Sequence, residues 1–226
     1  MLSSAMQPNL ALARLFFPDR TLEERLRSIP EYTDEYQPHT GEIVITGVIA
    51  DGCYQHVVNC LHLLADLDQQ GIPALVGVKR KSLVETLVFH DMGKIQPRLA
   101  VEDRVRPADV FEDGRRHAAR SAAFAARDYR ISDTVATLIR YHHHEEEELP
   151  ATFPAQLKPA YRLVRLVDGL SAAITRRGAC VRLEVRGYEI IVCEKNGHPG
   201  YDGCRVVDLL SGIVRAAEGK RGKEGR

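Results

Sequence analysis

The sequence predicts a mostly helical domain, arranged as a helical bundle, with a small β-hairpin appendage at its C-terminus. From about residue 53 to Gly178, apolar residues recur at helical spacing in segments that end at or near glycine. After Gly178, apolar and polar residues alternate around Arg186-Gly187, which is typical of two antiparallel strands joined by a turn. A chain of 226 residues is long enough for one large domain with such an appendage.

The central region contains a succession of helical segments. The first places Val57, Leu61 and Leu64 on one stripe and ends at Gly71. A later segment opens at Ser132, a residue type that is favoured as a helix N-cap. The segments are YQHVVNCLHLLADLDQQG, KSLVETLVFHDMGK, the Ala-rich RRHAARSAAFAARDYR, SDTVATLIRYHHHEEEE and AQLKPAYRLVRLVDGLSAAITRRG.

The flanking regions complete the predicted organisation. Residues 1–50 form an N-terminal helical extension with two short helical candidates, NLALARLFF and TLEERLRSI. The β-branched stretch GEIVITGVIADG fits either a short strand or a buried lead-in to the next helix, and periodicity does not decide between them. Residues 51–178 form the helical domain. Residues 179–226 form the hairpin, a last helix in CRVVDLLSGIVRAA, and a flexible tail.

Composition limits the classes of function. The formal net charge is zero, so whole-chain electrostatics give no reason to expect binding to nucleic acid or a membrane. No apolar run is long enough to span a bilayer, and the first residues lack the features of a secretion signal. The five cysteines include no C-x-x-C pair, so we expect reduced thiols and a cytoplasmic location.

Histidine and aspartate residues recur on the faces or ends of the predicted helices. Imidazole and carboxylate groups suit first-row divalent metals, and this set is too large for one ion. Two ions bridged by a carboxylate could bind the whole set of side chains. Such a pair of ions contacts both the attacking and the leaving oxygen of a phosphoryl displacement. The residues are His56, His90, Asp91, His117, His142, His143 and Asp168.

These residues, in this order, resemble the HD superfamily of metal-dependent phosphohydrolases, whose pattern is H…HD…H…HH…D. The resemblance covers roughly residues 53–175 and rests on FHDMGK, RRHAARSAA, LIRYHHH and RLVRLVDGLSAA. The third segment, with Ser121 and Ala122 after His117, is similar to nuclease-type members, including the CRISPR-associated HD nucleases. The GYP signature of members that act on cyclic di-GMP does not follow the histidine triplet.

The resemblance implies a role for each residue. His56, His90, Asp91 and Asp168 would bind one divalent ion, and Asp91 would share the second ion with three histidines: His117, His142 and His143. The ions would be Mn, Fe, Ni or Co, with Zn or Mg as alternatives. Asp91 and Lys94 would be the catalytic residues, with the Lys94 ammonium beside the substrate phosphate and the attacking water activated by the ions.

Two ligand assignments stay open. His62 is the alternative to His56, although the apolar residues after His56 fall at the offsets expected of the first ligand helix. The triplet His142-His143-His144 leaves the register open by one residue, and Ile139 favours the first two.

Three functions follow from these observations. The first is hydrolysis of a phosphate ester, in a nucleotide or a related phosphomonoester or diester. The second is cleavage of single-stranded nucleic acid, although zero net charge and few aromatic residues argue against an extended nucleic-acid surface. The third is a non-catalytic, metal-binding regulatory module. Because short exposed strands can pair with another chain, a homodimer formed through the C-terminal strands is a further alternative.

Overall fold

A computed structural model describes residues 17–197 and 202–217. The helices are α1 (Arg20–Ser28), α2 (Gly52–Gln69), α3 (Ile72–Leu75), α4 (Arg80–Phe89), α5 (Pro107–Val110), α6 (Gly114–Tyr129), α7 (Asp133–Tyr141) and α8 (Lys158–Arg177). The strands are β1 (Glu31–Gln37), β2 (Glu42–Ile49), β3 (Arg104–Val105), β4 (Cys180–Arg186), β5 (Glu189–Lys195), β6 (Gly203–Asp208) and β7 (Val214–Ala216). Two short 3-10 helices, Glu146–Glu148 and Ala155–Leu157, lie between α7 and α8.

The helices pack around a shared apolar core, as the sequence predicts for residues 53–178. Helix α2 contacts α1, α4 and α8, while α7 contacts α4, α6 and α8. Helices α2, α4, α7 and α8 each contribute a fully buried leucine, and these are Leu67, Leu87, Leu138 and Leu163. The predicted ends are also observed, since the Ser132 hydroxyl caps α7 and Gly178 ends α8 at φ 63°. No described helix combines the length and apolar content needed to cross a bilayer.

The N-terminal region is not the purely helical extension that the sequence predicts. The stretch GEIVITGVIADG forms strand β2, which pairs antiparallel with β1 and then with β3 to give the first sheet. Alternation explains this outcome, because Ile43 and Ile45 point inward together with Tyr32 of the neighbouring strand. Helix α1 corresponds to the second helical candidate, and residues 9–16 of the first lie outside the described part of the chain.

The C-terminal region is a four-stranded antiparallel sheet in the order β4-β5-β6-β7, which is larger than the predicted hairpin. The hairpin itself is present as β4 and β5, with Arg186 paired to Glu189 across the turn. The predicted last helix is wrong, because its residues form β6 and β7. Between these strands, the Asp208 carboxylate accepts hydrogen bonds from Leu210 N and Ser211 Oγ, and this turn interrupts the helical spacing of the apolar residues.

The expectation that all five cysteines are reduced thiols is wrong for one pair. Cys193 on β5 and Cys204 on β6 are direct partners in the antiparallel register and form a disulfide. Their pairing depends on strand register, which the spacing of the cysteines along the chain does not reveal. Cys53, Cys60 and Cys180 are free thiols.

Candidate metal centre

The ends and faces of the helices bring the predicted ligands to one place in the bundle. His90 and His142 are the residues that terminate α4 and α7, and each is followed directly by a second predicted ligand. The donor atoms form two groups, in each of which all atoms lie within 4.8 Å of one another. The first group contains His56, Cys60, His90 and Asp168, and the second contains Asp91, His117, His142 and His143.

The first group is a compact set of mixed donors. His56 Nε2 lies 3.0 Å from Asp168 Oδ1, 3.1 Å from His90 Nε2 and 3.9 Å from Cys60 Sγ. The other nitrogen of the His56 ring, Nδ1, lies 3.0 Å from the hydroxyl oxygen of Ser171 on α8. This contact orients the imidazole so that Nε2 faces the remaining donors, as the hydrogen bonds behind metal ligands commonly do.

The second group contains three imidazoles and one carboxylate. His117 Nε2 lies 3.0 Å from Asp91 Oδ1 and 2.9 Å from His143 Nε2. His142 is buried and His143 is the most exposed member. The chain comes close to His143 at Gly114, where an added methyl group would lie 2.7 Å from His143 Cγ. The glycine at the start of α6 therefore leaves the space that this imidazole occupies.

Asp91 joins the two groups. Its carboxylate lies 3.0 Å from His117 Nε2 in the second group, and 3.7 Å from His90 Nε2 and 4.0 Å from His56 Nε2 in the first. Burial raises the pKa of Asp91, but the charges of Lys94 and then His90 outweigh it and hold this pKa well below its usual range. The buried carboxylate is therefore ionised and available to both groups.

Backbone carbonyls fix the orientation of two further imidazoles. His90 Nδ1 lies 2.8 Å from the carbonyl oxygen of Leu87, and His142 Nδ1 lies 2.6 Å from that of Ile139. Each carbonyl selects the tautomer with its proton on Nδ1 and leaves Nε2 as the donor to the centre. The same i−3 relationship recurs because both histidines terminate a helix.

Unsatisfied buried atoms at the centre fit a cation. Within residues 17–197 and 202–217, Asp91 Oδ1 and His142 Nε2 are buried without a hydrogen-bond partner. Asp91 Oδ1 is only 3.0 Å from His117 Nε2, yet the two atoms make no acceptable hydrogen bond. Buried polar atoms rarely stay unpaired, so this donor set fits divalent cations well.

The alternative histidines at the two open ligand assignments lie apart from the donor groups. Neither donor group includes His62 or His144, whereas His56, His142 and His143 each belong to one. The His144 ring instead packs edge-on against Tyr141, at a centroid distance of 5.0 Å. The structure therefore brings together every predicted ligand, in the register that the apolar spacing favours.

A cleft of about 340 Å³ opens onto these donors. It includes Lys94 and Asp168, and it also includes Arg165 and Arg176 of α8. Arg165 and Arg176 lie on the same face of α8 as Asp168, with two small residues between them. The lining residues are His56, Asp91, Lys94, His142, His143, Glu145, Arg165, Asp168, Gly169, Ala172 and Arg176.

A buried carboxylate behind the cleft holds two of its cationic side chains. Glu31 of β1 is 2% exposed, and its carboxylate accepts hydrogen bonds from Lys94 Nζ at 2.5 Å and from Arg176 Nε at 2.8 Å. Burial raises the pKa of Glu31, but the charges of Lys94 and Arg176 outweigh burial and bring this pKa to about 2. The start of α2 lies close to Glu31, because a methyl group added at Gly52 would overlap the backbone nitrogen of Glu31.

Sequence analysis missed Glu31, Arg176 and Cys60. Glu31 is separated from Lys94 by 63 residues and from Arg176 by 145, and no local motif links them. Cys60 falls at an apolar offset of α2 and looks like a packing residue in the sequence. Glu31 lies between Pro30 and Tyr32, and nothing in this local sequence indicates that its side chain is buried.

The family assignment agrees with this geometry. The family model for the HD domain matches residues 53–173, which include all of the predicted ligands. No curated protein and no solved structure matches the chain. The chain therefore belongs to the HD domain family, a superfamily of metal-dependent phosphohydrolases.

Proposed function

We propose that this chain hydrolyses phosphate esters at the two donor groups, with water as the nucleophile. The observation that carries the proposal is the sharing of one buried, ionised carboxylate, Asp91, by two groups of converging donors. Divalent ions bound there would polarise a phosphoryl oxygen and lower the pKa of a water molecule. We propose Mn, Fe, Ni or Co as the ions, with Zn and Mg as alternatives.

The cationic side chains of the cleft supply the remaining electrostatics. Lys94 and Arg176 are fixed in place by Glu31 before any substrate arrives. Fixed donors stabilise the charge that develops on a transferred phosphoryl group without reorganising during the reaction. We propose that Lys94 and Arg176 contact the phosphate oxygens and that Asp91 and the histidines orient the reacting centre.

The single-strand nuclease is a second candidate that one observation favours. Arg165 and Arg176 are separated by three helical turns, or roughly 16 Å along α8, and the small residues Gly169 and Ala172 line the cleft between them. A methyl group added at Gly169 would meet no neighbouring atom within 4 Å, so packing does not require the glycine and there is free space above it. A substrate with phosphates on both sides of the scissile bond would engage both arginines.

The proposal is tested by hydrolysis assays on metal-depleted protein with each divalent ion added back. The substrates are p-nitrophenyl phosphate, bis(p-nitrophenyl) phosphate, nucleotides and short single-stranded oligonucleotides. We expect hydrolysis that requires an added transition metal. His62→Gln serves as a matched control, since it removes an imidazole that lies on α2 outside both donor groups.

The outcomes separate the candidates. Release of phosphate or p-nitrophenol from the small esters supports the phosphohydrolase, and cleavage of oligonucleotides alone supports the nuclease. Bound ions with no hydrolysis of any substrate would contradict both enzymatic functions and leave the metal-binding regulatory module. A homodimer and a cytoplasmic location remain predictions from the sequence.

A further inference from the structure

We propose that Cys60 is a thiolate ligand of the first donor group, so that the two metal sites of this chain differ in chemistry. This inference rests on the proposed metal centre. It adds a sulfur donor to a set that the sequence pattern describes as nitrogen and oxygen only. One site would then bind its ion through nitrogen, oxygen and sulfur, and the other through nitrogen and oxygen.

The geometry around Cys60 suits coordination. Cys60 lies one turn after His56 on α2, so the two side chains share a face of the helix. Cys60 is fully buried, and its Sγ atom lies 3.9 Å from His56 Nε2 and within 4.8 Å of the donors of His90 and Asp168. Zn–N and Zn–S bonds of about 2.0–2.3 Å place two ligand atoms of one tetrahedral ion about 3–4 Å apart.

The position of Cys60 differs from that of a cysteine that only packs. Cys53 is equally buried on the same helix, and its Sγ atom lies 3.7 Å from Asp91 Oδ2. Cys53 nevertheless belongs to neither donor group, whereas the Cys60 sulfur lies within 4.8 Å of three other donor atoms. The buried Asp91 Oδ1 atom makes no hydrogen bond of normal geometry, which supports a cation in the neighbouring donor group.

A thiolate at this position also balances charge. When the thiol binds a divalent ion, its proton leaves to solvent and the sulfur carries one negative charge. Together with Asp168 and the shared Asp91, Cys60 then offsets three of the four positive charges of two divalent ions in a buried environment, where uncompensated charge is costly. The second group, with three imidazoles and Asp91, has no sulfur donor.

This difference predicts different ion preferences. Soft thiolate ligands favour zinc and similar borderline ions over manganese and magnesium. The first group should therefore take zinc, cobalt or iron even when manganese is in excess, while the second group accepts manganese. Replacing partners that merely orient a metal ligand typically weakens metal affinity by about 10–100-fold, so the loss of a direct thiolate should weaken zinc binding by at least about 100-fold.

The test is a cobalt titration of the metal-free, full-length protein followed by absorption spectroscopy. We expect a thiolate-to-cobalt charge-transfer band in the near ultraviolet that saturates with one ion per chain and is removed by zinc. The band should be absent in Cys60→Ser and retained in Cys53→Ser, the matched control. X-ray absorption spectra of the wild-type protein should show one sulfur neighbour at about 2.3 Å, and this measurement needs no variant.

The outcomes distinguish this inference from the proposed function. Binding of two cobalt ions without a charge-transfer band, and without a sulfur neighbour, overturns the role of Cys60 and leaves the metal centre intact. A band that is lost in Cys53→Ser and kept in Cys60→Ser also overturns it. If no cobalt binds at all, both this inference and the proposed function fail.

Discussion

Replacing Asp91 by alanine is expected to weaken binding of both ions and to reduce metal-dependent hydrolysis by more than about 100-fold. The Asp91 carboxylate contacts donors of both groups, so one substitution removes a ligand from each. Replacing a residue that only hydrogen-bonds a metal ligand typically lowers metal affinity or activity by about 10–100-fold. The loss of a ligand shared by two ions should have a larger effect. The measurement is the metal content per chain after loading with manganese and dialysis, together with the rate of hydrolysis.

The control for this substitution is Asp66→Ala, which removes an exposed carboxylate from α2 outside both groups. We expect Asp66→Ala to retain the metal content and rate of the wild-type protein. Circular dichroism establishes that Asp91→Ala is folded before its metal content is compared. A folded Asp91→Ala protein that still binds two ions per chain would contradict the role of Asp91 as the shared ligand.

Replacing Glu31 by alanine is expected to lower the free energy of unfolding by about 3 kcal/mol, because it removes one partner from a buried set of charges. Lys94 keeps its contact with Asp91, at 3.2 Å, but loses the carboxylate at 2.5 Å, and Arg176 loses the same carboxylate. We also expect weaker substrate binding, seen as a higher KM, because the two cations of the cleft lose their common support. Urea unfolding and steady-state kinetics measure the two effects.

The contribution of Glu31 should depend on pH in a defined direction. The pKa of Glu31 is about 2 in the folded protein, below the value of about 4.3 for an unperturbed glutamate. Its charge therefore stabilises the fold fully above about pH 5, and this stabilisation is lost as the pH falls towards 2. The stability difference between the wild-type protein and Glu31→Gln should accordingly shrink over that range.

An exposed glutamate on the same strand provides the comparison for Glu31. Glu35 of β1 is exposed, and its replacement by alanine should change the free energy of unfolding by less than about 0.5 kcal/mol. Equal stability of Glu31→Ala and Glu35→Ala at neutral pH would show that the buried set of charges does not depend on Glu31.

The helical core was predictable from sequence because it depends on local patterns, and the proposed donor residues came from the order of histidines and aspartates along the chain. Apolar spacing and helix propensity locate α2, α4, α6, α7 and α8, and the proposed histidine ligands fall on or just after these helices. The end of α4 explains why the adjacent donors His90 and Asp91 can serve different groups. Apolar spacing therefore located the helices, whereas the ligand set came from the resemblance to the HD pattern.

Features that depend on distant pairing were not predictable. The contact between Glu31 and Arg176 forms only once β1 packs beside the end of α8, and no sequence pattern encodes that approach. The disulfide depends on the register that sets Cys193 opposite Cys204. The predicted last helix failed because its apolar spacing suits a helix, while a side-chain-capped turn at Asp208 divides it into strands.

The most direct measurement of the two-metal centre is an anomalous difference map from crystals of metal-depleted protein grown with manganese, recorded on both sides of the manganese absorption edge. We predict two peaks about 3.5–4 Å apart with the Asp91 carboxylate between them, as in other two-metal sites. Histidine nitrogens from both donor groups should surround the peaks. A map with no peak among these side chains, recorded from protein soaked in excess manganese, would contradict the account.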